Sequence, residues 1–456
     1  MAHSEEKMLE KNIDPVEVTT NYTYGTWRKQ NGWKPLIITR AYDSYFEDSN
    51  GKKYLDFSSQ LMCSNLGHGN KRIKDAIMEQ MDKFEYIQPG YVSEIRAKVA
   101  LELKKVLPSN LVKYFFGTSG TDANEAAIKT IRMLFSKERK IKIISNYNSY
   151  HGATMGSITL TGDFRRIAVD TFYSSNNVLH IPGPYCYRCP FNLKYPECDL
   201  ACANYMEYVI KNEGNVGAVY IEPVTGTNGV IVPPDGYMQR VRKITEENDV
   251  LLVTDEVMSG WGRTGKWFAV DNWAVKPDIL TTAKGITGAY LPLSLMATNK
   301  RVSDFFEDSY FAHGLTYEAH PLPLAASYAA IREYHDRKLI ENASNLGPSL
   351  KKRLEEIKNS HISVGDVRSI GLFAALEIVK DRNKKTPFNT YEEKMNGVPL
   401  MIDKVAKAAL EKGVYLSTWV KHFIIAPPLI INEEELQKGL DVIDESLNIS
   451  DKEVKL

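Results

Sequence analysis

Three short stretches of the sequence carry side chains that could do chemistry together. Residues 117–121 read GTSGT between an apolar run, KYFFG, and a helix-like stretch. Small residues at such a junction let backbone N–H groups approach an anion, and the helix N-terminus favours negative charge. Hydroxyl side chains can add hydrogen bonds there. The same pattern also suits a plain strand-to-helix turn with an N-cap. It is neither a P-loop nor GxGxxG, since no GK[ST] follows. The run VLLVTDEV (250–257) places Asp255 and Glu256 at the C-terminal end of an apolar strand, where open α/β sheets put ligands. A carboxylate there could hold a cation or a protonated ring nitrogen, or simply end a strand in solvent. Lys284, in DILTTAKG (278–285), lies 29 positions after Asp255, about one strand–helix–strand step. A lysine leaving an apolar strand can have a lowered pKa and act as an amine nucleophile, or can snorkel to solvent. An anion cradle, an acid for a pyridinium nitrogen and a Schiff-base amine are together what pyridoxal 5′-phosphate (PLP) requires. Tyr150-His151-Gly152, after IKIIS, adds an aromatic able to stack on a flat ring.

The elements that must position these residues follow from hydrophobic periodicity. KYFFG (113–117), IKIIS (141–145), VGAVYIEP (216–223), VLLVTDEV and DILTTAKG are short β-rich runs. Helical spacing of Ala127, Ile131, Leu134 and Phe135, and of Tyr237, Val241 and Ile244, predicts helices between them. Apolar strands alternating with helices indicate an α/β fold with a mainly parallel, doubly covered sheet. After about residue 330 the pattern changes to a helix at 401–413, strands around VYLS and HFIIAPPLII, and a last helix. That helix has Asn432 as N-cap and Glu435 three residues on. Near the N-terminus, Ser49-Asn50-Gly51 suits a hairpin turn. The expected organisation is an N-terminal segment (1–60) that contributes to a smaller α+β domain, a large domain (61–330), and a C-terminal part (331–456) completing the smaller one.

Composition narrows the partners. The 456 residues are 43% hydrophobic and 25% charged, which excludes a largely disordered chain. Lys+Arg and Asp+Glu are 57 each, so no net field draws the chain to nucleic acid or an anionic membrane. No run is long enough to span a bilayer, and the first fifteen residues lack the apolar core of a secretory signal. Five cysteines are an odd number, consistent with reduced thiols and a cytoplasmic protein.

From about residue 35 to 447 the sequence closely resembles the class III, or omega, PLP-dependent aminotransferases. The markers are YLDFSSQLMCSNLGHGN, FFGTSGTDANEAAIK, YHGAT, IEPVTGTNGVIVPPDGY, VTDEVMSGWGRTG, KGITGAYLPLS, HGLTYEAHPL and APPLII, in family order. The resemblance implies fold type I and a homodimer with shared active sites. It implies Lys284 as the Schiff-base lysine, Asp255 on the pyridine nitrogen, and Val257 and Tyr150 against the two ring faces. It implies Ser119, Gly120 and Thr121 on the phosphate, with Thr316 reaching it from the neighbouring subunit. His151, Gly152 and Glu222 complete the expected cofactor set, and Trp27, Met62, Tyr150, Thr227 and Trp419 the substrate set. An amine donor and a keto acid are the implied reactants. The same fold and lysine also serve decarboxylases, mutases and epimerases.

Two departures bear on substrate. Met258 stands where the ornithine and 4-aminobutyrate branches carry a glutamine, which favours the broader omega-amine and beta-alanine–pyruvate branch. Relatives usually place an arginine shortly before APPL to grip a carboxylate, and here Ser417 and Trp419 occupy that region, with Lys421 and His422 the nearest bases. Glu222 thereby loses its expected arginine partner. Arg165 and Arg166, in TGDFRR, are alternative anion grips or surface arginines. The segment PYCYRCPFNLKYPECDLACA resembles the subgroup that includes taurine aminotransferases, so taurine or a similar amino-sulfonate is the expected donor, with pyruvate the expected acceptor. An omega-amine or beta-alanine donor with either pyruvate or 2-oxoglutarate is the alternative. Cys186, Cys189, Cys198 and Cys202 within it could form a zinc site, but the stretch is read as a surface loop without metal. Cys63, beside Met62, is read as a small apolar packing residue.

Overall fold

A computed structural model describes residues 13–169 and 177–454, so the reading of the first fifteen residues falls largely outside it. Its centre is a seven-stranded sheet. The strands are β4 (Leu111–Gly117), β5 (Lys142–Asn146), β6 (Val178–Ile181), β7 (Val216–Ile221), β8 (Leu251–Asp255), β9 (Ile279–Thr282) and β10 (Ser294–Asn299), in the order β4-β10-β9-β8-β7-β5-β6. Only β10 runs antiparallel to its neighbours; β6, β5, β7, β8 and β9 pair in parallel. Every residue of β7, β8 and β9 is buried, as strands covered by helices on both faces must be.

The first of those helices, Gly120–Leu134, begins with a capping box. The Ser119 side chain accepts from Asp122 N, and the Asp122 carboxylate accepts from Ser119 N. Its apolar face buries Ala123, Ala127 and Ile131 against the sheet. The helix Tyr237–Glu247 buries Tyr237, Val241 and Ile244, the residues whose spacing predicts it.

Both ends of the chain meet in a second body of structure. Before β4 come β1 (Ile38–Tyr42), β2 (Tyr45–Asp48) and β3 (Lys53–Asp56), and after β10 come β11 (Val364–Ile370), β12 (Phe373–Asp381), β13 (Thr386–Pro387), β14 (Val414–Tyr415), β15 (Ser417–Trp419) and β16 (His422–Ile425). The β2–β3 hairpin turns where Asp48 accepts from the amides of Asn50 and Lys52, with Gly51 at φ +75° supplying the left-handed residue. β14 then pairs in parallel with β3, and β11, β12, β16 and β15 form an antiparallel sheet with β13 at its side. The last helix, Glu433–Asp451, carries the capping box of Asn432 and Glu435 and buries Leu436, Leu440, Ile443 and Leu447. Residue 330 lies inside a helix, Pro321–Asp336, and the long helix Leu339–Ser360 follows almost at once. Passage between the two bodies is therefore helical rather than through a linker. No helix among the described residues is long and apolar enough to cross a membrane.

Candidate active site

The C-terminal ends of β4, β8 and β9 and the loop after β5 converge on one cavity of about 460 Å³. β4 delivers Thr118, Ser119, Gly120 and Thr121 to its wall. The capping box leaves the first turn of a 15-residue helix facing the cavity, where positive dipole charge and small residues suit a phosphate. A side chain at Gly120 would meet the Val257 methyls at 3.0 and 3.1 Å, so the close packing of cradle against cavity wall requires glycine there. Gly152, at φ +140°, is held just as closely, since a Cβ on it would lie 2.5 Å from Thr121 Oγ1.

Asp255 ends β8 with its side chain buried. Its Oδ2 accepts from Asn124 Nδ2 at 2.9 Å and faces His151 Nδ1 at 2.8 Å, while Oδ1 accepts from Val257 N at 3.0 Å. A carboxylate only accepts, so His151 carries the Nδ1 proton. Asn124 is oriented in turn by Tyr220, whose hydroxyl donates to its Oδ1 at 2.7 Å. Sequence reasoning missed Asn124. The available signal was a polar residue one turn beyond the cradle, on the helix face that otherwise reads apolar.

Lys284 stands just past β9 in the left-handed region, φ +49°, a conformation uncommon for a lysine and one that clusters at functional sites. Its side chain lines the same cavity and makes no hydrogen bond or ion pair among the described residues. Burial is the main cause that holds its ammonium below the ordinary lysine value. Glu222, at the end of β7, accepts from the amides of Tyr150 at 2.9 Å and Gly226 at 2.8 Å, so two backbone donors occupy the place of an arginine partner. Burial pushes its carboxyl up to about 7.

The positions expected to meet substrate are distributed unevenly. Tyr150 lines the cavity, and Met258 beside it takes a contact from Thr227 Oγ1 at 3.2 Å. Met62 is turned into a buried apolar cluster with Val224, Met258 and Phe373, because Ser59, Gln60 and Met62 all have positive φ; Cys63 faces the cavity instead. Trp27 and Trp419 lie around Arg165, which is buried and not a surface arginine. Arg166 donates from Nε to Thr161 O. Lys421 is engaged with Glu377 at 3.8 Å, and His422 faces the Thr227 carbonyl at 3.0 Å through Nε2. Thr316 is exposed away from this cavity, its carbonyl accepting from the Tyr86 hydroxyl. The four clustered cysteines are free thiols, and no group able to hold a metal ion is found among the described residues.

These residues fit PLP. An unpaired buried amine, an oriented carboxylate and a glycine-lined helix N-terminus share one cavity with Tyr150 and Val257. Comparison with known proteins agrees. Residues 27–447 match the family "Aminotransferase class-III". A leucine/methionine racemase of Thermococcus litoralis is 35% identical over 423 residues, 91% of each chain. A putrescine–pyruvate aminotransferase of Pseudomonas aeruginosa is 30% identical, with 88% of each chain covered. Among solved structures, a taurine:2-oxoglutarate aminotransferase from Bifidobacterium kashiwanohense, in complex with PLP and glutamate, superposes with a TM-score of 0.91. It is 36% identical, covering 96% of this chain and 98% of that one.

Proposed function

The chain belongs to the class III aminotransferases, and from that premise we propose that it moves the amino group of an omega-amino compound, taurine or a similar amino-sulfonate, to pyruvate. It is a PLP-dependent transaminase of fold type I. The observation that carries the chemistry is the buried, unpartnered Lys284 amine in one cavity with Asp255 and the helix cradle. Support for the donor is the likeness to a taurine:2-oxoglutarate aminotransferase; on the acceptor the likenesses divide, that enzyme's name giving 2-oxoglutarate and a putrescine–pyruvate enzyme's giving pyruvate.

Bound in the cavity, PLP supplies an electron sink for charge left on the substrate carbon. In this reading Ser119, Gly120 and Thr121 would hold its phosphate with Thr316 of a second copy, and Val257 and Tyr150 would flank its ring. Asp255, held by Asn124, His151 and Val257 N, would keep a proton on the ring nitrogen. Lys284 Nζ would accept the proton from the donor carbon that bears the amine and hold it for redelivery. A depressed pKa suits that role, because a neutral amine is the base. Active sites shared in a homodimer and a cytoplasmic setting for the free thiols complete the proposal.

The acceptor reading rests on the anion grips available. Trp419 presents an apolar ring where relatives place an arginine, and Lys421 is held by Glu377. A dicarboxylate needs a second charged partner, each charge-assisted hydrogen bond contributing about 1.5–3 kcal/mol. Initial rates with taurine, β-alanine, putrescine and L-leucine against pyruvate and 2-oxoglutarate test the proposal. Taurine with pyruvate is expected to have the highest kcat/KM. The 35% identity to a racemase supports a second reading, inversion of a neutral amino acid. Loss of optical activity from L-leucine without a keto acid, and without amino transfer from any donor, would establish that reading instead.

A further inference from the structure

The cysteine-bearing loop between β6 and β7 is the part of the sequence that the reaction leaves unused. Cys186 opens a 3₁₀ turn, Cys186–Arg188, and Cys189 follows it directly. Residues i and i+3 of such a turn eclipse, about 6 Å apart along its axis. That separation lies inside the roughly 4.4–6.8 Å Cα span that a disulfide bridges. The turn is anchored from both sides. The Tyr185 hydroxyl donates to Glu377 Oε2, and Arg188 Nε donates to Glu377 Oε1 at 2.7 Å. Lys385 Nζ adds a hydrogen bond to the Tyr187 carbonyl at 2.6 Å.

Cys186 is exposed, whereas Cys189, Cys198 and Cys202 are half-buried. All four line a crevice of about 20 Å³, room for about one water molecule. Among the described residues no group of three forms a metal site, so the chemistry open to these thiols is pairwise. Cys186 and Cys189 also line a larger cavity of about 680 Å³, with Lys194, Tyr195, Asp235 and Lys385. Two ammonium groups and one carboxylate there complement a small molecule carrying carboxylates and an ammonium of its own. Burial and the neighbouring thiols hold the Cys186 thiol above its ordinary value. Its thiolate is therefore scarce but strongly nucleophilic, and a poor leaving group once bonded to sulfur. A bridge at this turn forms slowly and resists reduction.

We propose that Cys186 and Cys189 form a thiol–disulfide exchange site for a small zwitterionic, peptide-like disulfide, Cys186 attacking and Cys189 resolving. Cys186 gives up its proton and its sulfur attacks one sulfur of the small disulfide. That S–S bond breaks, and the departing thiolate takes up a proton. Cys189 then gives up its proton and attacks Cys186 Sγ, which breaks the mixed disulfide and expels the second thiol. Two electrons and two protons pass from the protein to the small disulfide, which leaves as two thiols. The anchored turn keeps Cys189 one rung from the mixed disulfide, so the second step is effectively intramolecular and outruns thiols in solution. The site is independent of the amine donor and acceptor proposed above.

The test uses the PLP-loaded enzyme, reduced with dithiothreitol, freed of it and incubated with glutathione disulfide as the probe. Wild type is expected to lose two of its five free thiols, with peptide mapping placing one bridge between Cys186 and Cys189. Cys189→Ser is expected to stop at one glutathione bound to Cys186, and Cys186→Ser to leave Cys189 unmodified. Cys198→Ser is expected to form the same bridge as wild type. A bridge from Cys198 or Cys202 to either residue, or glutathione spread over all the thiols, overturns the proposal. So does a wild type whose thiols stay free while the denatured chain reacts fully. Mapping of the wild type alone decides among these results, so a variant that fails to fold leaves the test standing. Cystamine, a disulfide without carboxylates, is expected to react about threefold or more slowly once both rates are corrected for reaction with a free thiol. Equal corrected rates would overturn the assignment of a zwitterionic partner.

Discussion

Lys284 is placed by packing rather than by partners. Its strained backbone angle and unpaired amine are tolerated because β9 and the cavity wall hold it, and burial favours the neutral amine a nucleophile needs. Lys284→Ala is expected to abolish turnover while leaving the fold intact; absorbance of the covalently bound cofactor, and rate with the best donor, are the readouts. More than a small residual rate would remove Lys284 from the chemistry. Asp255 depends on its neighbours in a different way. With Asn124, His151 and the Val257 amide as donors, the carboxylate has a single orientation. Asp255→Asn keeps the shape but removes the charge proposed to hold the ring nitrogen's proton, so kcat is expected to fall by about 10²-fold or more, measured with cofactor saturation checked by absorbance. Both residues were legible in the sequence because each sits at the end of an apolar strand, a local signal. Asn124 and the bond from His151 were not, because nothing local tells which side chain 131 or 104 positions away will meet Asp255.

The β12–β16 pairing shows how an element decides what a charged residue can do. Its register sets Glu377 opposite His422 and brings Lys421, Arg188 and Arg368 around one buried carboxylate. Tyr185 adds its hydroxyl to the same group. Lys421 stands in the sequence as one of the bases nearest the position where relatives carry an arginine; in the fold it is a structural counter-ion. Burial by itself would raise the Glu377 pKa, but the charges of Lys421, Arg368 and Arg188 outweigh it and hold the carboxyl at about 2. The folded-state value lies below the ordinary 4.5, so the unfolded chain binds more protons as pH falls between those values. The stabilisation is therefore complete above about pH 4.5 and is lost as pH drops toward 2. Glu377→Gln leaves several buried cations without their counter-charge and is expected to cost roughly 3–5 kcal/mol at pH 7. Urea unfolding should show that gap narrowing as pH falls through the same window. A gap independent of pH would mean that packing, not charge, accounts for the loss.

Arg263 ties the molecule together. Fully buried in the loop after β8, it donates to Leu372 O at 3.2 Å, Pro427 O at 2.5 Å, Ser59 Oγ at 3.1 Å and Asn65 Oδ1 at 2.6 Å. One side chain from the central sheet's surroundings thus joins the N-terminal segment to two C-terminal ones. Arg263→Met removes four hydrogen bonds and strands buried acceptors, so a stability loss of roughly 3–5 kcal/mol is expected, read from denaturant unfolding. A loss within experimental error would show that packing alone joins the parts. Nothing in GWGRTG announces that role, just as TGDFRR does not distinguish a surface arginine from a caged one. Legible from the chain alone were the alternating strands and helices, the cap at Asn432, and the candidate cradle, acid and lysine that line one cavity. Those signals are carried by neighbours a few residues apart, through strand period, helix period and capping geometry. The amide partners of Glu222, the inward turn of Met62, the counter-ion role of Lys421 and the aromatic cage of Arg165 depended on folding. Each is set by which distant surfaces pack together, and burial changes what a polar side chain can do far more than its type or spacing does.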